Sequence, residues 1–169
     1  MRLKVRVLRD LIAKASLNPY VRALAASIVR GIPSRDHLER ARAILAWVQE
    51  NLTYVGEPHE IFTRPERMLL DPDFHFGDCD EINAALAALY ESIAFQTVGE
   101  ALGWGGHFRH YGIRVGLPAG KPPERLLYAE GTIPVALGWD PAKRIAAKEG
   151  TGELQGVASL AQAYALGLL

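Results

Sequence analysis

A chain of 169 residues, 49% hydrophobic and 22% charged, can bury one globular core and is too short for two full domains. Lysine plus arginine equal aspartate plus glutamate at 19 each, so no overall field favours nucleic acid or an anionic membrane. No segment approaches the ~20 apolar residues of a membrane span, and the N-terminus alternates charge with apolar residues from Met1 to Arg6, unlike a secretory signal. A cytoplasmic location is expected, and a single cysteine, Cys79, suits a reducing compartment.

The first third reads as helical. Leu8 to Ala15 form a short apolar stripe. Asn18-Pro19 starts the next helix with a capping side chain and a proline at the first helical position; Leu24, Ile28 and Val29 give it a buried face, and Gly31 ends it. Ser34 is the expected cap of a third helix, whose apolar residues Leu38, Ala41, Leu45, Val48 and Leu52 alternate spacings of three and four. Thr53 to Gly56 is extended. Glu57 to Asp73 holds Pro58, Pro65 and Pro72 and reads as loop with a helical turn near Pro65 to Leu69.

Gly77-Asp78-Cys79-Asp80 then opens a helix expected to run to Ser92, with Ile82, Leu86, Leu89 and Ile93 at helical spacing. Beyond it the period changes. Phe95 to Ala101 reads as a strand and Gly103 to Gly106 as a turn. Arg109 to Leu117 alternates, with Tyr111, Ile113 and Val115 on one face and His110, Gly112 and Arg114 on the other. A loop over Pro118 to Pro123 joins it to a last strand, Arg125 to Thr132, as an antiparallel pair. Helices first and strands later predict an α+β fold, with the cysteine helix packed on a small antiparallel sheet. Residues 1–156 read as one domain. The uncharged stretch from Val157 to Leu169 reads as a terminal helix or tail docked on that domain or on a partner.

A lone cysteine in the first turn of a helix faces unpaired N–H groups and the positive end of the helix dipole, which stabilise a thiolate. A cysteine nucleophile needs a base within hydrogen-bond reach and an acceptor that orients the base. His110 is the candidate base. Glu130, 20 positions on, is the candidate acceptor: if the two strands pair, its carboxylate takes the far ring nitrogen and fixes the tautomer. Arg114 shares the face of His110 and is a candidate to bind a substrate carbonyl or carboxylate. Asp78 is a helix cap and a site-lining candidate, Tyr54 or the Cys79 N–H an oxyanion donor, and His75 a cleft-lining residue. His107 competes for the role of base, but strict alternation places it with Tyr111 and Ile113 unless a bulge near Gly105-Gly106 turns it.

The order Gly-Asp-Cys-Asp at a helix start, a histidine opening an alternating strand, then an acid followed by Gly-Thr resembles the transglutaminase-like cysteine enzymes, relatives of papain-like proteases. The stretch from Ala46 to Val55 is similar to that family's helix ending in an aromatic before a loop, so the resemblance covers roughly Leu38 to Pro141. It implies a catalytic triad of Cys79, His110 and Glu130 but does not choose between the hydrolases and acyltransferases of the family; a peptidase or amidase acting through a thioester on a protein or peptide is expected because water is abundant and nothing in the sequence marks an amine-binding site. Two positions depart from the pattern. Glu130 stands where aspartate is usual, and Gly112 stands where an aromatic is usual, which opens the site or shifts the register by one.

Two other readings stand beside it. The chain is alternatively a non-catalytic interaction module that retains a transglutaminase-like fold and self-associates through the C-terminal segment. A zinc protein would draw on Cys79, His75, His107 and His110, but no pair of these has the spacing of a compact metal site, and no dense acidic loop suggests calcium. No cofactor and no metal are expected.

Overall fold

The computed structural model describes residues 2–56, 62–104 and 107–139. The expected tail over 157–169, His59 and the glycine pair at 105–106 lie outside them. Five α-helices and two small sheets make up the described residues, consistent with an α+β fold. Among the described residues, no helix is long and apolar enough to cross a membrane.

Helix α1 (Arg2–Ser16) buries Leu8, Ile12 and Ala15, a four-then-three spacing that keeps one face inward. Helix α2 (Pro19–Ile28) begins as its sequence predicts. The Asn18 side chain accepts from the Tyr20 N–H at 2.9 Å, and Gly31, just past the end, takes a φ of +87° that side chains disfavour. Helix α3 (His37–Asn51) starts later than expected. Ser34 is used up in a turn closed by the Asp36 N–H on the Pro33 carbonyl, and Asp36 is the cap, accepting from the Glu39 N–H at 3.1 Å.

Strand β1 (Thr53–Tyr54) leaves α3. Helix α4 (Pro65–Leu70) falls where a helical turn was expected, followed by a 3-10 turn at Pro72–Phe74. Strand β2 (Phe76–Gly77) then pairs in parallel with β1, Thr53 opposite Phe76 and Tyr54 opposite Gly77. This pairing sets Tyr54 beside the chain that enters helix α5 (Cys79–Ser92).

Helix α5 is the centre of the molecule. Every residue from Asp80 to Tyr90 is buried, rather than one apolar face. Its alanines at 84, 85, 87 and 88 let α1, α2, α3 and α4 come close on their sides, while β4 packs on another. The Tyr90 hydroxyl, fully buried there, donates to the Ala41 carbonyl at 2.9 Å.

The second sheet is antiparallel in the order β3 (Thr97–Trp104), β4 (His107–Leu117), β5 (Arg125–Ala129). Tyr111, Ile113 and Val115 join the α5 core, as the alternation predicts. Strand β3 runs through Gly103, which was expected in a turn. The β3–β4 pairing slips by one residue between Leu102 and Gly103: Leu102 sits opposite His110 and Gly103 opposite Phe108, leaving Arg109 without a partner. That bulge ends the strict alternation from which His107 was assigned a face. Strand β5 stops at Ala129, three residues short of the expected Thr132, because Glu130 turns the chain. Its carboxylate accepts from the Thr132 N–H (3.0 Å) and hydroxyl (2.7 Å), and the Gly131 N–H goes to Asn83 instead of the sheet.

Candidate active site

The site is built on the start of α5. Asp78 caps it, its carboxylate accepting from the Asp80 N–H at 2.8 Å and the Glu81 N–H at 3.4 Å, and Glu81 reaches back to the Asp78 N–H at 3.2 Å. This reciprocal box satisfies orphan donors of the first turn and fixes Cys79 as the first helical residue. The second Glu81 oxygen takes the Thr63 N–H at 2.6 Å, so the segment entering α4 is tied to the same turn. Gly77 is needed for space: a Cβ there would come within 2.5 Å of the Glu81 carboxylate and 2.6 Å of the Met68 methyl.

Cys79 is half-buried, with its sulfur 3.6 Å from Asp80 Oδ1. Asp80 is itself buried and forms an ion pair with Lys4 of α1. Burial pushes the Asp80 carboxyl above its usual range, with Lys4 pulling the other way. Among the described residues, Asp78, Cys79 and Asp80 bring ligand atoms within 4.8 Å of one another and are the residues placed to hold a cation. Two of the three are already committed, Asp78 to the cap and Asp80 to Lys4.

His110 and Glu130 come together across the β4–β5 pair. The ring Nε2 lies 2.6 Å from Glu130 Oε2, with the histidine side chain 24% exposed and the glutamate 2%. Burial disfavours the imidazolium, but a hydrogen bond to Cys79, a hydrogen bond to Glu130 and the negative charge of both overcome it and raise the His110 pKa to about 10. Burial likewise opposes the Glu130 carboxylate, yet His110 and the two Thr132 donors hold it below its usual range. With Nε2 on the carboxylate, Nδ1 is the ring nitrogen left to exchange a proton with the sulfur.

Glu130 is held from several sides. Asn83, fully buried one turn along α5 from Cys79, donates to Glu130 Oε1 at 3.2 Å. Gln49 of α3 donates to the backbone carbonyls of Glu130, Ile133 and Val135 at 2.8–2.9 Å, pinning the segment after β5. The Tyr128 hydroxyl lies 3.3 Å from Glu130 Oε2. The Tyr128 ring occupies the space above Gly112, where a Cβ would come within 2.5 Å of its Cζ. Gly112 therefore does not open the site: the ring of Tyr128 in β5, opposite Arg114, fills the space.

The remaining candidates divide. Tyr54 is 53% exposed, and its phenol pKa is raised by partial burial and then by the charges of Cys79, Asp78 and Asp80, the residues at the start of α5. His75 sits edge-on to Trp47 at 6.5 Å between ring centroids, its Nε2 buried without a hydrogen-bond partner among the described residues. Arg114 makes a two-pronged contact with Glu100 across β3 (2.8 and 3.3 Å) and lies 5.5 Å from the centre of the Tyr128 ring. Its guanidinium thus braces the sheet behind Tyr128. Asn83, Gln49, Tyr128 and Lys4 were not anticipated, and Asp80 was read only as part of the cysteine motif. Asn83 alone carried a local signal, a neutral polar side chain inside the apolar run from Ile82 to Leu89.

No protein-family model matches the chain, and no curated protein does. Two solved structures share its fold. One, from Parabacteroides distasonis and described as a "putative protease", superposes with a TM-score of 0.53 at 11% identity, over 70% of this chain and 27% of its own. The other, from Cytophaga hutchinsonii and described as a "putative cysteine protease", has a TM-score of 0.51 at 16% identity, over 80% of this chain and 45% of its own. The chain spans less than half the length of either, and at these identities the likeness is one of fold.

Proposed function

We propose that this chain is a cysteine-dependent amide hydrolase on a transglutaminase-like, papain-like core, a single domain acting on a protein or peptide. The observation that carries the reading is His110 Nε2 held at 2.6 Å by the buried Glu130 carboxylate, with Cys79 among the groups that raise the proton affinity of the ring. A solvent-screened histidine has no reason to gain proton affinity; one clamped between a thiol at a helix start and a buried carboxylate does. The two solved structures of like fold, both described as proteases, support the reading at that coarse level.

In the proposed reaction the Cys79 thiolate attacks the amide carbonyl carbon, and the carbonyl oxygen becomes an oxyanion near the Cys79 N–H and the Tyr54 hydroxyl. As the carbon–nitrogen bond breaks, the imidazolium of His110 gives its proton to the leaving amine. A thioester remains on Cys79. Water then attacks the thioester carbon, His110 takes one of its protons, the acid leaves, and the thiolate–imidazolium pair is restored. Glu130 stays ionised throughout and holds the ring. Hydrolysis is favoured over transfer to an amine because water needs no binding site of its own.

The test is the pH dependence of Cys79 alkylation by iodoacetamide in wild type and His110→Ala. The wild-type profile should lie at lower pH than that of His110→Ala, and a peptide-amide screen should then yield turnover that Cys79→Ala abolishes. Identical profiles in the two proteins would refute the coupled pair.

A further inference from the structure

Beyond the triad itself, one buried side chain on the nucleophile's own helix touches both the strand that bears His110 and the bend that bears Glu130. Asn83 is fully buried, four residues and therefore about one turn after Cys79. Its amide nitrogen donates to the Tyr111 carbonyl at 2.7 Å, in the residue that follows His110, and to Glu130 Oε1 at 3.2 Å. Its amide oxygen accepts the Gly131 N–H at 2.9 Å, in the residue that follows Glu130. Both protons and the oxygen of the amide are used, each on a different part of the base-bearing hairpin. The close approach is built in on the other side too, since a Cβ at Gly131 would come within 3.2 Å of the Asn83 oxygen and within 2.9 Å of Ile82.

We infer that Asn83 is the positioning residue of the site: it locks the His110 and Glu130 segments to the helix that carries Cys79 and selects the Glu130 rotamer that presents Oε2 to His110. This rests on the proposed triad for its catalytic meaning, though not for its geometry. The logic is one of division of labour on a single carboxylate. Glu130 Oε1 is occupied by Asn83 and by both Thr132 donors, which leaves Oε2 for His110 and the Tyr128 hydroxyl. Without the Asn83 donor, Oε1 keeps only contacts from its own chain neighbour, which move with Glu130 and cannot hold it against α5. A valine at position 83 would come closer to filling the volume but would remove the donor to the Tyr111 carbonyl and the acceptor of the buried Gly131 N–H.

The charged and titratable groups facing His110 are Cys79, from α5, and Glu130, after β5; Tyr128 faces Glu130 from β5, with Arg114 of β4 and Glu100 of β3 behind it. Asn83 carries no charge, so its removal changes the proton affinity of His110 only by moving what it holds: Glu130, and the Tyr111 backbone next to His110.

The experiment is a proton titration of His110 by NMR on ring-labelled protein, the signal assigned by its loss in His110→Gln. Wild type, Asn83→Ala, Glu130→Gln and the double variant are compared, with urea unfolding run beside them. Asn83→Ala should lower the proton affinity of His110 at least tenfold while unfolding remains cooperative. In the Glu130→Gln background the same substitution should have a markedly smaller effect, because the charged group through which Asn83 chiefly acts is gone and only its contact with the Tyr111 carbonyl remains. Additive effects, or an unchanged His110 in Asn83→Ala, would overturn the inference. Asn83→Ser, which returns a small polar group to the site, replaces Asn83→Ala if the latter does not fold, and failure of both would make Asn83 a folding residue and overturn it equally. The readout does not depend on turnover. Identical alkylation profiles in wild type and His110→Ala would sink the proposed hydrolase and leave this titration standing on its own result.

Discussion

Replacing Gly112 by alanine tests the packing that surrounds Glu130. The added Cβ would come within 2.5 Å of the Tyr128 Cζ and within 3.1 Å of its Cε2, and closer still to the hydroxyl. Carbon atoms rest at about 3.5–4.0 Å, so the ring must retreat by about an ångström. It has little freedom to do so: Tyr128 is 2% exposed, and its hydroxyl is aligned on Glu130 at 3.3 Å. Overpacking of this kind costs about 1–3 kcal/mol. Loss of a hydrogen bond to a charged acceptor adds about 1.5 kcal/mol at the low end appropriate to a 3.3 Å contact. Relief of the conformational freedom of glycine returns about 0.5–1 kcal/mol. The expected net loss is about 1.5–4 kcal/mol, read from urea unfolding midpoints at constant slope. In a Tyr128→Ala background the ring is absent, so Gly112→Ala should become neutral or stabilising, a coupling that reverses its sign. A Gly112→Ala protein within about 0.5 kcal/mol of wild type, with Tyr128 present, would refute the placement of that ring.

Three further outcomes are expected. With His110 raised from 6.5 by its partners, its contribution to stability is complete below the unfolded value and disappears as pH climbs through the folded one; in Cys79→Ala, which keeps Glu130 as the partner, urea midpoints should therefore fall from about pH 6.5 upward, and His110→Gln added to that protein should flatten the curve. Glu130, lowered in the folded state, acts at the other end: its contribution is present above the unfolded value near 4.5 and is lost on acidification, so Glu130→Gln should reduce the acid sensitivity of unfolding. Leu86→Ala, in the fully buried span of α5, should cost about 2–5 kcal/mol, the range for a leucine removed from a core that cannot collapse around it, and a loss under 1 kcal/mol would contradict the central position of that helix.

Local chemistry was legible from residue order. The Asn18 and Asp78 caps, the span of α5 and the inward set Tyr111, Ile113 and Val115 follow from side chains acting on backbone a few residues away and from periodicity within one element. The same economy misled at Ser34, a good cap by composition that a turn had already consumed, with Asp36 capping in its place.

What tertiary structure alone decided lies at long range. The Glu130 carboxylate meets His110 across 20 residues, as expected on condition that the strands pair, but it does so from a bend beyond the end of β5 rather than from the strand, and it meets Asn83 across 47. The glycine at position 112 looked like an opening in the site until the strand pairing placed the Tyr128 ring over it. Each of these depends on which strand residues stand opposite one another and on how closely an alanine-rich helix lets its neighbours approach, both products of the assembled core. A sequence can display a cysteine at the head of a helix, because a cap and a dipole act within one turn. The pairing of His110 with the Glu130 carboxylate belongs to the packed sheet and helix together.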